Sequence, residues 1–328
     1  MITSAATTID LASLPPPQSV EQISFEAILA SMLADLRARD PAYNTISEAD
    51  PAYKLLQVCA YRETLLRQRE NNKTKSLMLA FAKGADLDHL GVTYFNGTAR
   101  LVLQAAAPQA TPPLPLVLES DDDYRNRLLL QPEGESVAGP EGSYVFHTLS
   151  AHPDVADASV YSPWPAGVVI TLLGRSGPLP SAAAVAAVAA ELRASLVLPV
   201  PESPIPAAKE LPAPERYTSG GLRPVGDRVI LRPATLVQYR IEADITTPTG
   251  PDSSLIGQQI AANLVAYKDA PRRLGRDVAK SAIYAALHVA GVERVELIAP
   301  AKDLMLDGTQ ASICTGITVR INGVQVTV

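Results

Sequence analysis

DPAYKLLQVCAYRETLLRQRENNKTKSLMLAFAKGADLDHLG occupies residues 50–91. Tyr53, Leu55, Leu56, Cys59, Ala60 and Leu66 recur at the spacing of a helical apolar stripe. Asp50 suits an N-cap, and Pro51 suits the first helical position, where a missing N–H costs no hydrogen bond. Polar residues fill Arg67 to Ser76, and Leu77, Met78, Leu79 and Phe81 follow. Gly84 reads as the C′ terminator, and Asp86 as the cap of a short final helix ending at Gly91. From Asp50 to Lys83 this predicts roughly 34 residues of helix, about 50 Å at 1.5 Å per residue. The alternative is a break near Asn71-Asn72. A long helix with a polar middle and apolar ends cannot lie wholly in one small core. It crosses solvent, or packs on something outside its own domain.

Outward from this stretch, Phe25, Ile28, Leu29, Met32, Leu33 and Leu36 predict a helix over Ser24 to Arg39, with Ser24 as N-cap. Residues 1–19 read as an extended arm ending in Pro15-Pro16-Pro17. Residues 92–118 are irregular, with a strand expected at Leu101 to Leu103, and a domain boundary falls there. Glu119-Ser-Asp-Asp-Asp-Tyr-Arg is an acidic helix start. A helix is expected over Ser143 to Ala151, then strands at Val155 to Tyr161 and Gly167 to Leu173, then a helix from Ser181 to Leu198. Residues 199–224 form an extended Pro-rich loop, in part polyproline-like. Strands at Arg228 to Arg232 and Thr235 to Thr246 precede helices at Ser253 to Lys268 and Asp277 to His288. Strands at Val292 to Ile298 and Ile317 to Ile321 close the chain.

Two segments read alike. SYVFHTLSAHPDVADASVYSP (143–163) and SAIYAALHVAGVERVELIAP (281–300) align with one residue deleted at the turn. Each is helix, tight turn and alternating strand ending at Pro, and the residues in register are apolar. This points to one supersecondary unit used twice. The expected class is α+β and multidomain: an N-terminal long-helix region over 1–118, then two small related α+β domains over 119–232, with the insertion 199–224, and 233–328.

Composition narrows the chemistry. The chain has 328 residues, 47% apolar and 19% charged, enough to bury sizeable cores. Its net charge of −6 opposes nucleic-acid binding as a global property. Two cysteines, Cys59 and Cys314, cannot frame a chain this long with disulfides, and a reduced, cytoplasmic site of synthesis is expected. No signal peptide and no membrane span are expected. Proline accounts for 28 of 328 residues and clusters at 15–17, 108–115 and 199–214, where it punctuates the chain.

Asp86, Asp88 and His89 resemble a metal site, but two carboxylates two apart on a helix diverge by about 200°. Helix capping accounts for them, and for Asp121-Asp122-Asp123. Arg62, Arg67, Arg69, Lys73 and Lys75 form a basic patch interrupted by Glu63 and Glu70, with no aromatic interleaving for base stacking. A solvated face, a protein-docking face and a nucleic-acid contact all stand as readings of it. Ser143 and His147 lie four apart on a predicted helix, within reach, though that helix reads as core packing. Gly220-Gly221 and the glycines at 134, 139 and 142 match no phosphate-binding pattern. No catalytic constellation, cofactor site or metal site is expected.

Residues 50–91 closely resemble the signature region of baseplate J-like proteins, wedge components of contractile phage tails and related contractile injection particles. ESDDDYRNRL (119–128), AGPEGSYVFHTLSAHPDVADASVYSP (138–163), LGRDVAKSAIYAALHVAGVERVEL (274–297) and DGTQASICTGITV (307–319) extend the resemblance, in order, over nearly the whole chain. Residues 199–224 depart from it, where the family has a short connection. The resemblance implies a structural wedge protein, not an enzyme, located in the virion tail baseplate and assembled in the host bacterial cytoplasm. It implies N-terminal helices bundled with other wedge subunits, C-terminal domains closing a ring around the hub, and a ring that rearranges to help trigger sheath contraction. Implied partners are copies of itself, hub and sheath-initiating proteins and a tail fibre-attachment protein, with no membrane and no nucleic acid. The competing expectations are a cell-wall hydrolase centred on His147 or His89, and a nucleic-acid-binding module using Arg67, Arg69, Lys73 and Lys75.

Overall fold

The computed structural model describes residues 17–175, 177, 179–211, 222–248, 253–270 and 272–326. Pro15-Pro16, most of the N-terminal arm, and residues 212–221 of the Pro-rich insertion, with Gly220-Gly221, lie outside the described residues. The chain is a mixture of helices and sheets, as an α+β chain should be. Two compact units emerge. One comprises the described residues up to Arg100 together with Ser120–Leu128. The other comprises Leu101–Glu119 and the described residues from Leu129 on.

In the first unit, α1 (Phe25–Arg39) starts at Ser24, whose hydroxyl accepts the Ala27 N–H at 3.3 Å. It packs on α2 (Pro51–Ser76) through Ile28, Leu29 and Ala60, with Phe25, Met32, Tyr53 and Leu56 around them. Pro51 opens α2 as expected, but the Asp50 carboxylate turns back to the Ser47 N–H (2.7 Å) and hydroxyl (3.1 Å) instead of capping the helix.

The long helix ends at Ser76, short of the expected Lys83. Tight turns follow, with Met78 N–H bonded to Lys75 O and Phe81 N–H to Met78 O, both at 3.0 Å. These turns carry Leu79 and Ala82 into a second core with Leu87, Tyr124 and Leu128. Burial of that apolar run outweighs continuation of the helix. Gly84 is therefore not the terminator of α2. It takes φ +51 as the first residue of α3 (Gly84–Tyr94). Asp86 is not a cap either: Lys83 occupies the N-cap position without a side-chain bond, and Asp86 lies exposed in the first turn.

The second unit contains β1 (Val102–Gln104) paired with β2 (Val117–Leu118), and two four-stranded sheets. α4 (Asp121–Gly134) and α5 (Glu141–Ala151) precede β3 (Val155–Tyr161) and β4 (Gly167–Gly174). The first sheet has the order β3-β4-β6-β5 and includes β5 (Leu196–Val197) and β6 (Arg228–Pro233). β3 runs antiparallel to β4, and β4 and β5 run parallel to β6. Every residue of β4 is buried, as a strand covered on both faces requires. One face packs on α5 and on α6 (Ala182–Glu191) through Val145, Ile170, Val188 and Leu231. The other is covered by Leu198, Ile205 and Leu211, which lie in or beside the start of the Pro-rich insertion.

α6 ends at Glu191, well before the expected Leu198. Arg193 takes φ +47, and the Ala194 N–H reaches back to Ala189 O at 2.9 Å, a Schellman-type stop without glycine. Buried Arg223 secures it, donating Nε to Leu192 O (2.8 Å) and Nη2 to Arg193 O (2.9 Å).

The second sheet is built from β7 (Thr235–Thr246), β8 (Arg294–Ala299), β9 (Gln310–Ile321) and β10 (Val324–Val326), in the order β10-β9-β7-β8. β9 and β10 turn at Asn322-Gly323, both at positive φ, as a two-residue hairpin loop demands. α7 (Ser253–Asp269) and α8 (Lys280–Leu287) bury Ile260, Leu264, Ile283 and Leu287 against Ile241, Ile245 and Val319. The two segments that read alike, α5–β3 and α8–β8, each end in an edge strand antiparallel to its neighbour. The connections differ: β4 follows β3, whereas β7 precedes α8. The sheets meet through Leu173, Ala234, Leu274 and Ala311, and through the Asp157 carboxylate, which accepts the Leu274 N–H at 2.8 Å.

Candidate docking surface

The five basic residues of α2 divide between two faces of the helix. Arg67 faces α1. Its guanidinium binds Glu63 (Nη2–Oε1 2.5 Å) and Glu21 (Nη1–Oε2 3.2 Å), and donating to the Glu63 carboxylate raises its pKa. Asn71 completes the tie, accepting the Glu21 N–H at 3.0 Å and donating to Glu21 O at 2.9 Å. Lys75 lies over the Phe81 ring, 5.8 Å from its centroid.

Arg62, Arg69 and Lys73 fall on another line. Leu55, Cys59, Arg62, Leu66, Arg69 and Lys73 follow one another at alternating intervals of four and three, the spacing of one helix face. All six are exposed, Leu55 at 67% and Leu66 at 56%. Lys73 meets Glu70 at 2.8 Å across solvent. The face is apolar toward its start and basic toward its end. It lies roughly 130° around the helix from the face through which α2 contacts α1.

The two acidic motifs, Asp86/Asp88 and Asp121-Asp122-Asp123, meet at one guanidinium. Arg100 Nε binds Asp88 Oδ1 at 2.7 Å, and Nη1 binds Asp121 Oδ1 at 2.8 Å. Burial works against the Arg100 charge, and the hydrogen bonds it donates to Asp88 and Asp121 more than offset it, so its pKa lies above the ordinary arginine value. Arg100 also lies over the Tyr124 ring, 4.9 Å from its centroid.

Helix α4 supplies the rest of this clasp. Its own N-cap is Ser120, whose hydroxyl accepts the Asp123 N–H at 3.1 Å. Asp121 instead caps α3, accepting the Gly84 N–H at 3.1 Å. Tyr124 donates to Thr98 O at 2.6 Å, and Arg127 Nη2 to Ala99 O at 2.7 Å. Arg125 donates Nε to Leu79 O and Nη2 to Ala82 O, each at 2.7 Å. Gly91 is the counterpart of Tyr124: a Cβ there would stand 1.8 Å from the tyrosine hydroxyl. The acidic-start reading passed over these residues. Their signal is the spacing 121, 124, 125, 128, which puts Asp, Tyr, Arg and Leu on one helical face.

His89 Nδ1 lies 3.2 Å from the Thr93 hydroxyl. Ser143 and His147 are not joined: the serine donates to Ser136 O at 3.3 Å, and His147 Nε2 pairs with Gly134 O at 2.9 Å. The Ser143 hydroxyl is directed to a backbone carbonyl and not to the imidazole, so the two side chains do not form a nucleophile–base pair here. Among the described residues, no helix is long and apolar enough to cross a membrane.

Three family models match in chain order. They are the Baseplate J-like N-terminal domain over residues 48–107, the Baseplate J-like central domain over 136–233, and the Baseplate J-like protein C-terminal domain over 239–320. A similar relative is Baseplate protein J of Escherichia phage P2, 42% identical over 324 residues, covering 96% of this chain and 98% of the relative. With matches reaching from the α2 region to the last long strand, the chain belongs to the baseplate J-like protein family.

Proposed function

We propose that the chain is a structural wedge subunit of a contractile tail baseplate, in a phage or a tail-like particle, and not an enzyme. The observation that carries this is the match to Baseplate protein J over nearly the full length of both chains. In this reading the helical region through residue 118 bundles with neighbouring wedge subunits, and the two related α+β domains, 119–232 and 233–328, contact copies of themselves to close a ring around the hub. Sheath-initiating and fibre-attachment proteins dock on that ring.

The exposed face of α2 supports the bundling. Leu55 and Leu66 stay in water, and Arg62 and Arg69 make no hydrogen bond or ion pair with any described residue. A partner helix with apolar residues at heptad spacing and carboxylates opposite Arg62, Arg69 and Lys73 complements it. Arg67 serves the α1 tie instead. Negative-stain microscopy of tails made without this protein tests the reading. The expected result is tails with no finished baseplate, and normal baseplates in its absence refute it.

A further inference from the structure

A cleft of about 280 Å³ opens beside the second sheet, on the segment that follows α7. Lys268, Arg272, Arg273 and Arg276 line it, all from nine consecutive residues. Asp277 is the one carboxylate among the lining residues, and its Oδ1 is occupied by the Leu306 N–H at 2.7 Å. Arg272 donates to Gly177 O, and Arg273 to Ala156 O, both at 2.9 Å. Four cations against one carboxylate give the lining residues an excess of positive charge.

The floor is built to donate. Tyr239 of β7 and Cys314 of β9 stand side by side where a bulge interrupts the strand register, and Tyr267 of α7 lines the same cleft. Bulges of this kind re-aim side chains toward a site. Burial pushes both tyrosine hydroxyls up, so they remain protonated donors at neutral pH. Ser312 adds a third hydroxyl, while Ala270, Val278 and Ile313 supply apolar wall.

We propose that this cleft binds an oxyanion, and that its occupant in the assembled particle is the carboxylate of an acidic segment of a neighbouring protein chain. The volume suits one side chain: a carboxylate among the hydroxyls and cations, with its methylene stem on Val278 and Ile313. A compact pit does not track a nucleic-acid backbone, and the net charge of −6 opposes one. Choosing a protein chain as occupant rests on the subunit reading above.

The test is calorimetric titration of the full chain with hexaglutamate, hexaglutamine and inorganic phosphate. Hexaglutamate is expected to bind, more weakly as salt is raised, and hexaglutamine is not. The double variant Lys268→Gln/Arg276→Gln, altered at two exposed positions, is expected to bind hexaglutamate about tenfold more weakly or worse. Arg294→Gln, an exposed cation away from the cleft, is expected to bind as the wild type does. Equal binding by the double variant and the wild type overturns the proposal, and so does binding of phosphate without peptide. The titration uses the isolated chain, so its failure leaves the subunit reading standing. Normal baseplates made without the protein would refute that reading and leave the titration intact.

Discussion

Asp121 belongs to α4, yet its carboxylate sits at the start of α3, where it accepts the Gly84 N–H at 3.1 Å. The same carboxylate binds Arg100, and Arg100 holds Asp88 on the far side. One guanidinium thereby joins two acidic motifs, each of which read in isolation as a metal site or a local cap.

Arg100→Ala is expected to destabilise the N-terminal unit by about 2–4 kcal/mol. The low end reflects the partial exposure of both carboxylates, and the high end the cost of breaking a buried pair from one side. Urea denaturation measures it. A loss below 0.5 kcal/mol would show that water replaces the guanidinium at little cost.

The Asp121 carboxyl titrates below its ordinary 3.8, because the Gly84 N–H and Arg100 outweigh the opposing effect of burial. A depressed carboxyl stabilises the fold above its unfolded pKa, and that contribution is lost as pH falls through the folded value. Asp121→Asn should therefore be less stable than the wild type at pH 6–7, with the difference shrinking as pH falls below 3.8. Denaturation midpoints across that range read it directly.

Glu141 carries the opposite sign. Burial, and then the neighbouring Glu133, push its carboxyl above the ordinary 4.5. A raised carboxyl favours folding below its unfolded pKa and disfavours it as pH rises through the folded value. Glu141→Gln should raise the melting temperature at pH 7 and leave it unchanged near pH 3. Thermal melts of the two proteins at both pH values are the check.

Gly91→Ala should cost about 1–3 kcal/mol or more, because the added methyl meets the Tyr124 hydroxyl in a packed core. Tyr124→Phe removes the nearest colliding atom and is expected to recover part of the loss in the double variant, although alone it forfeits the bond to Thr98 O. A double-mutant cycle measures the coupling.

Arg62→Glu/Arg69→Glu alters the exposed line of α2 and not the α1 tie. The isolated chain should keep its melting temperature, and its incorporation into particles should fall. Arg67→Glu should do the reverse to the chain, loosening Glu21 and Glu63 from α2. Pull-down with tail components and thermal melts separate the two effects.

Helix and strand positions were legible wherever local periodicity carried them. The Ser24 cap, the Pro51 start and the mostly apolar β4 are visible in the residues themselves. The errors share one cause. α2 stops at Ser76 because Leu79 and Ala82 are wanted by a core completed by Tyr124 and Leu128, and their carbonyls by Arg125. α6 stops at Glu191 because Arg223 takes the carbonyls of Leu192 and Arg193. In each case the terminating group lies some thirty to forty-odd residues away in the chain, beyond any capping rule read from neighbours. The basic patch was legible as a composition, but its division between two helix faces depended on where α1 lies.

The clasp also bears on how the chain can be cut and how it matures on the ribosome. A fragment ending at residue 118, where the Pro-rich stretch invites a boundary, would carry Ala82 and Leu87 without the Tyr124 and Leu128 that cover them. It would leave Gly84 without its carboxylate and Arg100 without its ion pair to Asp121. The shortest piece able to close that core extends through Leu128. During translation, residues 77–100 must wait until the first two turns of α4 have left the exit tunnel before they can settle.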